Sequence, residues 1–162
     1  MLAILAEAGT SGVTRDRLVG LLWPEVDESR ARSALSQALY ALKRDTGEEQ
    51  LVLGYDRLTL NPRALASDVS DFEDAVARDD PAHAAALYAG AFLDGVYLAD
   101  APEFEHWLDG ARLRLGRTAE RVLEQLAVEA ESRQDHAAAA DWWCRLTALE
   151  PLKPSAVLRL ME

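Results

Sequence analysis

The sequence predicts a mostly α-helical protein in two parts, with a small β-hairpin between them. Apolar residues recur at helical spacing along most of the chain, and the stretch LVLGYDRLTL places a turn-forming segment between two apolar runs. The charge is also uneven, since residues 1–63 carry eight Lys and Arg against nine Asp and Glu, whereas residues 64–162 carry nine against nineteen. This asymmetry indicates halves with different partners, and the near-neutral first half is the one suited to nucleic acid.

The composition is that of a folded globular protein, with 49% apolar and 28% charged residues. No apolar run reaches the about 20 residues that a membrane helix needs, and the start MLAILAEAGT lacks the basic region and cleavage site of a signal peptide. We therefore expect a cytoplasmic protein. The single cysteine, Cys144, cannot form an internal disulfide, and its neighbours in DWWCRL predict a buried structural thiol.

Two helices are predicted early in the chain. The first begins at Thr14, a residue type that caps helices well, and ends just before Pro24. Its apolar residues recur at helical spacing: Leu18, Leu21 and Leu22. After a tight turn, Asp27 or Ser29 is suited to cap a second, longer helix, which Gly47 is placed to end.

A hairpin follows the second helix. Apolar-rich runs at residues 51–53 and 58–60 are separated by residues 54–57, which predicts two short strands joined by a four-residue loop. From Asp68 onward the patterns are only helical. The order of short helix, tight turn, longer helix and hairpin is that of a winged helix-turn-helix, with the hairpin as its wing.

The second helix has a face suited to DNA. Between Glu28 and Asp45 it carries four basic residues and no acidic one. On a helical wheel of about 100° per residue, its apolar residues share one face: Ala31, Leu35, Ala38, Leu39 and Leu42. The opposite face and its flank hold Arg30, Arg32, Ser33, Ser36, Gln37, Tyr40, Lys43 and Arg44. Such side chains bind base edges and phosphates. Carboxylates on the same face would repel the phosphates. At the hairpin tip, Tyr55 and Arg57 are placed to reach the DNA backbone or the minor groove.

A second interpretation of this face stays open. Basic and polar residues are common on the solvated side of any amphipathic helix, and taken alone the pattern favours that reading. The preceding helix, the tight turn and the following hairpin together shift the balance toward DNA binding, because a solvated surface helix does not require them.

The second half fits the tetratricopeptide pattern of paired helices. If Pro151 is the proline of that pattern, five residues fall on its large, small and aromatic positions: Leu123, Leu126, Ala127, Ala139 and Trp143. A looser copy lies in DPAHAAALY, residues 80–88, and the insertion at residues 92–107 is expected to pack its aromatic side chains onto the helices. Stacked helix pairs of this kind present a concave surface that binds peptides or proteins.

The segments TRDRLVGLLWP, SRARSALSQALYALKRDTG and FLDGVYLADAPEFEHWLDGARLRL resemble the Streptomyces antibiotic regulatory protein (SARP) family. This resemblance covers nearly the whole chain, and residues 92–115 are its most specific part. It implies a winged helix-turn-helix DNA-binding domain at residues 1–63 and a helical bacterial transcriptional activator domain at residues 64–162. Family members carry strands and a full first helix before the position of Met1 and more helices after Glu162, so we expect a segment truncated at both ends.

What the resemblance implies is a transcriptional activator, cytoplasmic and nucleoid-associated. Such a protein binds direct repeats in double-stranded promoter DNA, in tandem or as a homodimer, and contacts RNA polymerase or another protein. The family's recognition helix matches residues 29–45, so its DNA-facing positions fall on Arg30, Ser33, Gln37, Tyr40 and Arg44. The alternative is a tetratricopeptide-like scaffold or regulatory module whose winged helix no longer binds DNA specifically.

The sequence offers no pattern for an enzyme, a metal or a cofactor. Its three histidines, His83, His106 and His136, are far apart and belong to no metal-ligand spacing, so we expect them at the surface. No glycine-rich phosphate loop and no Ser or Cys nucleophile motif is present in the sequence. The tryptophans Trp107, Trp142 and Trp143 lie at helical spacing among apolar residues, which predicts core packing. We therefore predict that the protein is not an enzyme.

Overall fold

The computed structural model describes residues 1–149 of the 162-residue chain. These residues are mostly helical, with one small three-stranded sheet. They divide into two compact units, one of residues 1–70 and 93–111, the other of residues 71–92 and the described residues from 112 onward. No helix in this described part is both long enough and apolar enough to cross a membrane.

The first 60 residues contain three α-helices and three short strands. A turn of 3₁₀-helix, Gly9–Ser11, separates the first helix from the first strand. The elements of this region are α1 Leu2–Ala8, β1 Val13–Thr14, α2 Arg15–Leu22, α3 Glu28–Thr46, β2 Val52–Leu53 and β3 Arg57–Leu60. Only helices follow in the described chain, as predicted: α4 Asp68–Ala77, α5 Pro81–Leu87, α6 Pro102–Ser132 and α7 His136–Leu149.

Both early helices begin and end where the sequence predicts. The Thr14 hydroxyl accepts a hydrogen bond from the backbone N–H of Arg17 at the start of α2. Of the two candidate caps for α3, Asp27 is the one used, and its Oδ1 accepts from the backbone N–H of Ser29 at 3.0 Å. These bonds satisfy N–H groups that have no partner inside the helix. Gly47 ends α3 in the left-handed conformation, with φ at 70°.

The sheet has the order β1-β3-β2, and both pairs are antiparallel. Strands β2 and β3 form the predicted hairpin, but its loop is three residues long, at residues 54–56, and not four. Arg57 is the first residue of β3, because its backbone pairs with Thr14 of β1. Strand β1 was not predicted, since two residues are too short to show an alternating pattern.

A compact apolar core holds the helices of the first unit against the sheet. Its most buried large side chains come from α1, α2, α3, β3 and the start of α6: Ile4, Leu5, Leu18, Leu21, Leu35, Leu58 and Leu108. On the predicted apolar face of α3, Ala31 and Leu35 are fully buried, whereas Ala38, Leu39 and Leu42 are half-buried. Leu39 and Leu42 line an open groove of about 250 Å³ against the hairpin, which explains their partial exposure.

In the second unit, the predicted repeat positions lie in the interior. All five residues placed on the large, small and aromatic positions are buried: Leu123, Leu126, Ala127, Ala139 and Trp143. Trp143 also donates its indole N–H to Oε1 of Glu131 at 2.9 Å, which satisfies a polar group that burial would otherwise leave unpaired. Pro151, the proline of the pattern, lies outside the described residues.

Two predictions about burial are wrong. Cys144 is exposed, because Ala139, Trp143 and Leu146 take the buried face of α7 and its position falls off that face. In the insertion at residues 92–107, Phe104 is buried as expected, but the Tyr97 side chain is 74% exposed. Tyr97 lies in an irregular stretch before α6, where no helix or strand directs its side chain toward the core.

Candidate nucleic-acid interface

One side of α3 is open to solvent over its whole length. The eight side chains that the sequence assigns to this side are all exposed, and we call them the α3 outer face: Arg30, Arg32, Ser33, Ser36, Gln37, Tyr40, Lys43 and Arg44. The Arg30 side chain is 85% exposed and Tyr40 is 67% exposed. Because the opposite side of the helix supplies the buried Ala31 and Leu35, this orientation of α3 is fixed by the core.

Carboxylates pair with all three arginines of the α3 outer face. Nε of Arg30 lies 3.5 Å from Oδ2 of Asp27. Nη2 of Arg32 lies 2.7 Å from Oε1 of Glu28 and 3.1 Å from Oδ1 of Asp16, on α2. The last of these arginines, Arg44, pairs with the adjacent Asp45 at 2.8 Å. The face is free of carboxylates, as the sequence indicates, but its arginines are neutralised from both ends of α3 and from α2.

The two serines of this face use their protons inside the helix. Ser33 Oγ donates to the carbonyl of Ser29 at 2.9 Å, and Ser36 Oγ donates to the carbonyl of Arg32 at 3.0 Å. A serine oxygen still has lone pairs in this arrangement, so it can accept a hydrogen bond from a base amino group. To donate to a phosphate oxygen, either hydroxyl would have to give up its bond to the helix carbonyl.

Three residues of the α3 outer face have side chains that remain unengaged within residues 1–149. Gln37, Tyr40 and Lys43 make no side-chain hydrogen bond and no ion pair there. An amide, a phenol and an ammonium group together provide the hydrogen-bond donors and acceptors that bind base edges and phosphates. These three side chains can therefore contact a ligand without breaking a contact inside the protein.

The hairpin tip, residues 54–56, carries the most exposed large side chain of the described apolar and aromatic residues. Tyr55 is 81% exposed. Arg15, the first residue of α2, donates Nε to the Tyr55 carbonyl at 2.6 Å, and its guanidinium carbon lies 5.6 Å from the centroid of the Tyr55 ring. Gly54 has φ at 94°, and a Cβ at this position would collide with the carbonyl oxygen of Arg57. Only glycine suits this tight turn.

Arg57 is the first residue of β3 and not part of the tip, which corrects its predicted position. Its Nη1 donates to the backbone carbonyls of Ser11 at 2.9 Å and Gly12 at 3.0 Å. The side chain therefore extends away from the tip toward the segment that leads into β1. A charged donor bonded to two carbonyls stabilises this connection, so the Arg57 guanidinium has a structural role in the folded chain.

A groove of about 600 Å³ separates the hairpin tip from α3. It is lined by residues of α2, α3 and the tip: Thr14, Arg15, Asp16, Arg32, Leu35, Ser36, Tyr55 and Asp56. Two arginines and two aspartates face it, so its charge is balanced. Arg15 and Asp16 were not singled out from the sequence, because their partners Tyr55 and Arg32 are 40 and 16 positions away and no local spacing signals them.

Within residues 1–149, the histidines and carboxylates form no metal site. His83, His106 and His136 are all exposed, as expected. Among residues 1–149, no group of three or more His, Cys, Asp and Glu side chains is arranged to hold a metal ion. The α3 outer face and the hairpin tip are therefore the surface that we consider for function.

Comparison of the chain with protein-family models, curated proteins and solved structures found no match. The similarity to the SARP family accordingly stays a prediction made from the residues themselves.

Proposed function

We propose that this chain is a DNA-binding transcriptional regulator, an activator that binds promoter DNA through a winged helix-turn-helix made of α2, α3 and the β2–β3 hairpin. The observation that carries the proposal is the α3 outer face, whose eight predicted side chains are all exposed on one side of a 19-residue helix. Such a helix is about 28 Å long, and the major groove, about 12 Å wide, admits it.

In the proposed complex, different residues of the face have different tasks. Gln37, with its amide, suits a base edge, and Tyr40 and Lys43 suit the backbone or neighbouring bases. Arg30 and Arg44 lie near opposite ends of α3, about 21 Å apart along its axis, so they reach phosphates on both sides of the groove. Tyr55 at the hairpin tip extends the contact to the adjacent minor groove.

The paired arginines lower the expected affinity without abolishing it. Exposed ion pairs contribute only about 0 to 1 kcal/mol, so a DNA phosphate can replace a carboxylate partner of Arg30 or Arg44. The displaced carboxylates remain nearby, however, and repel the phosphates. We therefore expect modest affinity with a steep dependence on salt, at about −0.9 in the slope of log K against log salt for each neutralised phosphate.

The helical second part is proposed to be a tetratricopeptide-like activator domain that contacts RNA polymerase or another protein. Burial at all five repeat positions supports this architecture. From the resemblance we propose that the regulator acts in the cytoplasm at the nucleoid, bound to direct repeats in tandem or as a homodimer. We propose no catalytic activity, metal or cofactor for it.

A second candidate function is a protein-interaction scaffold whose winged helix no longer binds DNA specifically. Charge favours it. The three arginines of α3 are neutralised by carboxylates, and the first unit as a whole carries eight Lys and Arg against fifteen Asp and Glu. A surface of that balance repels nucleic acid at long range.

A binding titration decides between the two. Labelled fragments of DNA from upstream of the protein's own gene are titrated at about 50 and 200 mM salt, with an unrelated duplex as competitor. Selective binding that weakens steeply with salt supports the regulator. Weak binding that the unrelated duplex abolishes equally well supports the scaffold.

A further inference from the structure

The hairpin tip is held mainly by one residue. Arg15 donates its backbone N–H to the carbonyl of Asp56 at 3.1 Å and its Nε to the carbonyl of Tyr55 at 2.6 Å. Its guanidinium also lies over the Tyr55 ring, 5.6 Å from the centroid. Burial does not hold the tip, because Gly54, Tyr55 and Asp56 are all exposed. The direction in which Tyr55 points is therefore set by Arg15.

The residue next to Arg15 links α2 to α3. Asp16, the next residue along α2, accepts a hydrogen bond from Nη2 of Arg32 at 3.1 Å. The tip is thus tied to α2 by Arg15, and α2 is tied to α3 by Asp16. These residues line the groove of about 600 Å³ between the tip and α3, so the two contacts set the separation between Tyr55 and the α3 outer face.

The charges of this groove argue against a direct phosphate contact for Arg15. Asp16 and Asp56 line the groove beside Arg15 and Arg32, so an anion entering it gains little net attraction. The Tyr55 side chain, in contrast, is 81% exposed to solvent, with the Arg15 guanidinium against its ring. A planar ring supported by a guanidinium has the amphipathic character suited to packing on a sugar-phosphate backbone.

We infer that Arg15 is a positioning residue that holds Tyr55 in place, so that the hairpin tip and α3 meet double-stranded DNA as one rigid surface. This inference rests on the proposed function, which supplies the DNA. Arg15 itself acts through Tyr55. A pre-ordered tip costs less conformational entropy on binding than a mobile one, and this saving is the contribution of Arg15 to affinity.

The test is a double-mutant cycle. DNA affinity is measured for the unsubstituted chain, Arg15→Met, Tyr55→Ala and the double variant, with Arg63→Met as a control that removes one exposed positive charge elsewhere. We expect Arg15→Met to weaken binding about fivefold in the presence of Tyr55 and to have no further effect in the Tyr55→Ala background. Arg15→Lys keeps the positive charge but loses the Nε hydrogen bond, so we expect this variant to bind DNA as weakly as Arg15→Met does.

The salt dependence of binding separates positioning from phosphate contact. A positioning residue leaves the slope of log K against log salt unchanged, whereas loss of a phosphate contact reduces its magnitude by about 0.9. Equal losses of affinity in both backgrounds, or a reduced slope in Arg15→Met, would overturn the inference. Chemical unfolding of each variant confirms that the comparisons are made on folded protein.

A measurement without DNA separates the positioning role of Arg15 from DNA binding by the chain. Hydrogen exchange of the backbone amide at residue 15, which is bonded to the Asp56 carbonyl, reports attachment of the tip. We expect it to accelerate about tenfold in Arg15→Met. If the unsubstituted chain binds no DNA although this exchange accelerates, the proposed function fails while Arg15 still holds the tip. Unchanged exchange overturns the positioning role whatever the DNA result.

Discussion

Nη2 of Arg32 lies 2.7 Å from Oε1 of Glu28, one helical turn earlier on α3. Both side chains are more than half exposed, so the pair contributes little to stability, but it occupies a guanidinium on the face that we propose for DNA. Any phosphate that approaches Arg32 meets a carboxylate already in contact with it. The affinity of this face for DNA is therefore set partly by the protein's own acidic residues.

Replacement of Glu28 by Gln is expected to strengthen DNA binding about two- to fivefold. The substitution removes one carboxylate from Arg32 and removes its repulsion of phosphates, while the free energy of unfolding falls by less than about 1 kcal/mol. The measurement is a titration with the cognate DNA, and Glu25→Gln, in the turn before α3, is the matched control. Unchanged or weaker binding in Glu28→Gln would show that Arg32 does not face the DNA.

The double substitution Arg30→Ala with Arg44→Ala is expected to weaken DNA binding at least tenfold. It removes two proposed phosphate contacts, so the slope of log K against log salt loses up to about 1.8 in magnitude. A control pair, Arg63→Ala with Arg133→Ala, changes the net charge equally at exposed residues that are not part of α3. If the first pair leaves the affinity for a cognate promoter unchanged, the assignment of α3 as recognition helix is wrong.

Arg57→Met separates the structural role of Arg57 from its predicted DNA contact. The variant loses the bonds from Nη1 to the carbonyls of Ser11 and Gly12, and we expect the free energy of unfolding to fall by about 1 to 2 kcal/mol. Denaturant titration measures this, with Arg63→Met as the control. Under conditions where the variant is folded, its DNA affinity should match that of the Arg63 control, and a larger loss would return Arg57 to the interface.

Two glycine substitutions are expected to change the free energy of unfolding in opposite directions. Gly54→Ala must place a Cβ against the carbonyl of Arg57 at a positive φ, and should destabilise the chain by more than about 1 kcal/mol. Gly20→Ala, within α2, meets nothing within 4 Å and should stabilise it by up to about 1 kcal/mol. Thermal or denaturant unfolding measures both. Stabilisation by Gly54→Ala would contradict the geometry of the hairpin tip.

Burial raises the pKa of the Tyr88 phenol above 10.0, and the negative charge of Glu120 raises it further. The folded state therefore holds this proton more tightly than the unfolded state, so the stabilisation is fully present below pH 10 and is lost as the pH rises through the higher pKa of the folded state. We expect the free energy of unfolding to fall above about pH 10, and to fall less steeply in Tyr88→Phe. Equal pH dependence in both proteins would contradict the shift.

The sequence predicts the local elements well because their signals are local. Thr14, Asp27 and Gly47 mark helix ends through bonds to neighbours a few positions away, and the apolar stripe through Leu35 fixes which side of α3 faces the core. What it does not predict depends on partners distant in the chain. Strand β1 exists because β3 pairs with it, and for that reason Arg57 leaves the loop and joins the strand.

In the candidate site, too, local features were predicted and contacts between distant residues were not. Exposure of the α3 outer face was predicted, because helical periodicity alone decides it. The ion pair between Arg32 and Asp16 and the contacts of Arg15 with Tyr55 were not, since these partners lie on different elements. Even the Asp27 pair of Arg30 was missed, although it is local, because Asp27 was considered only as a helix cap.

The pairing of β1 with β3 also has a consequence for folding kinetics. Arg57 reaches the carbonyl of Gly12, 45 positions earlier, so the chain must close a long loop around α2 and α3 before β1 can join the β2–β3 hairpin. Closing such a loop costs roughly 3 kcal/mol of entropy, which a two-residue strand cannot offset without simultaneous burial of the Leu18 and Leu35 side chains. Addition of β1 to the sheet and docking of α3 are therefore coupled in one cooperative transition. On heating, the α3 outer face and the hairpin tip lose their arrangement together, in a single step and not by fraying from one end.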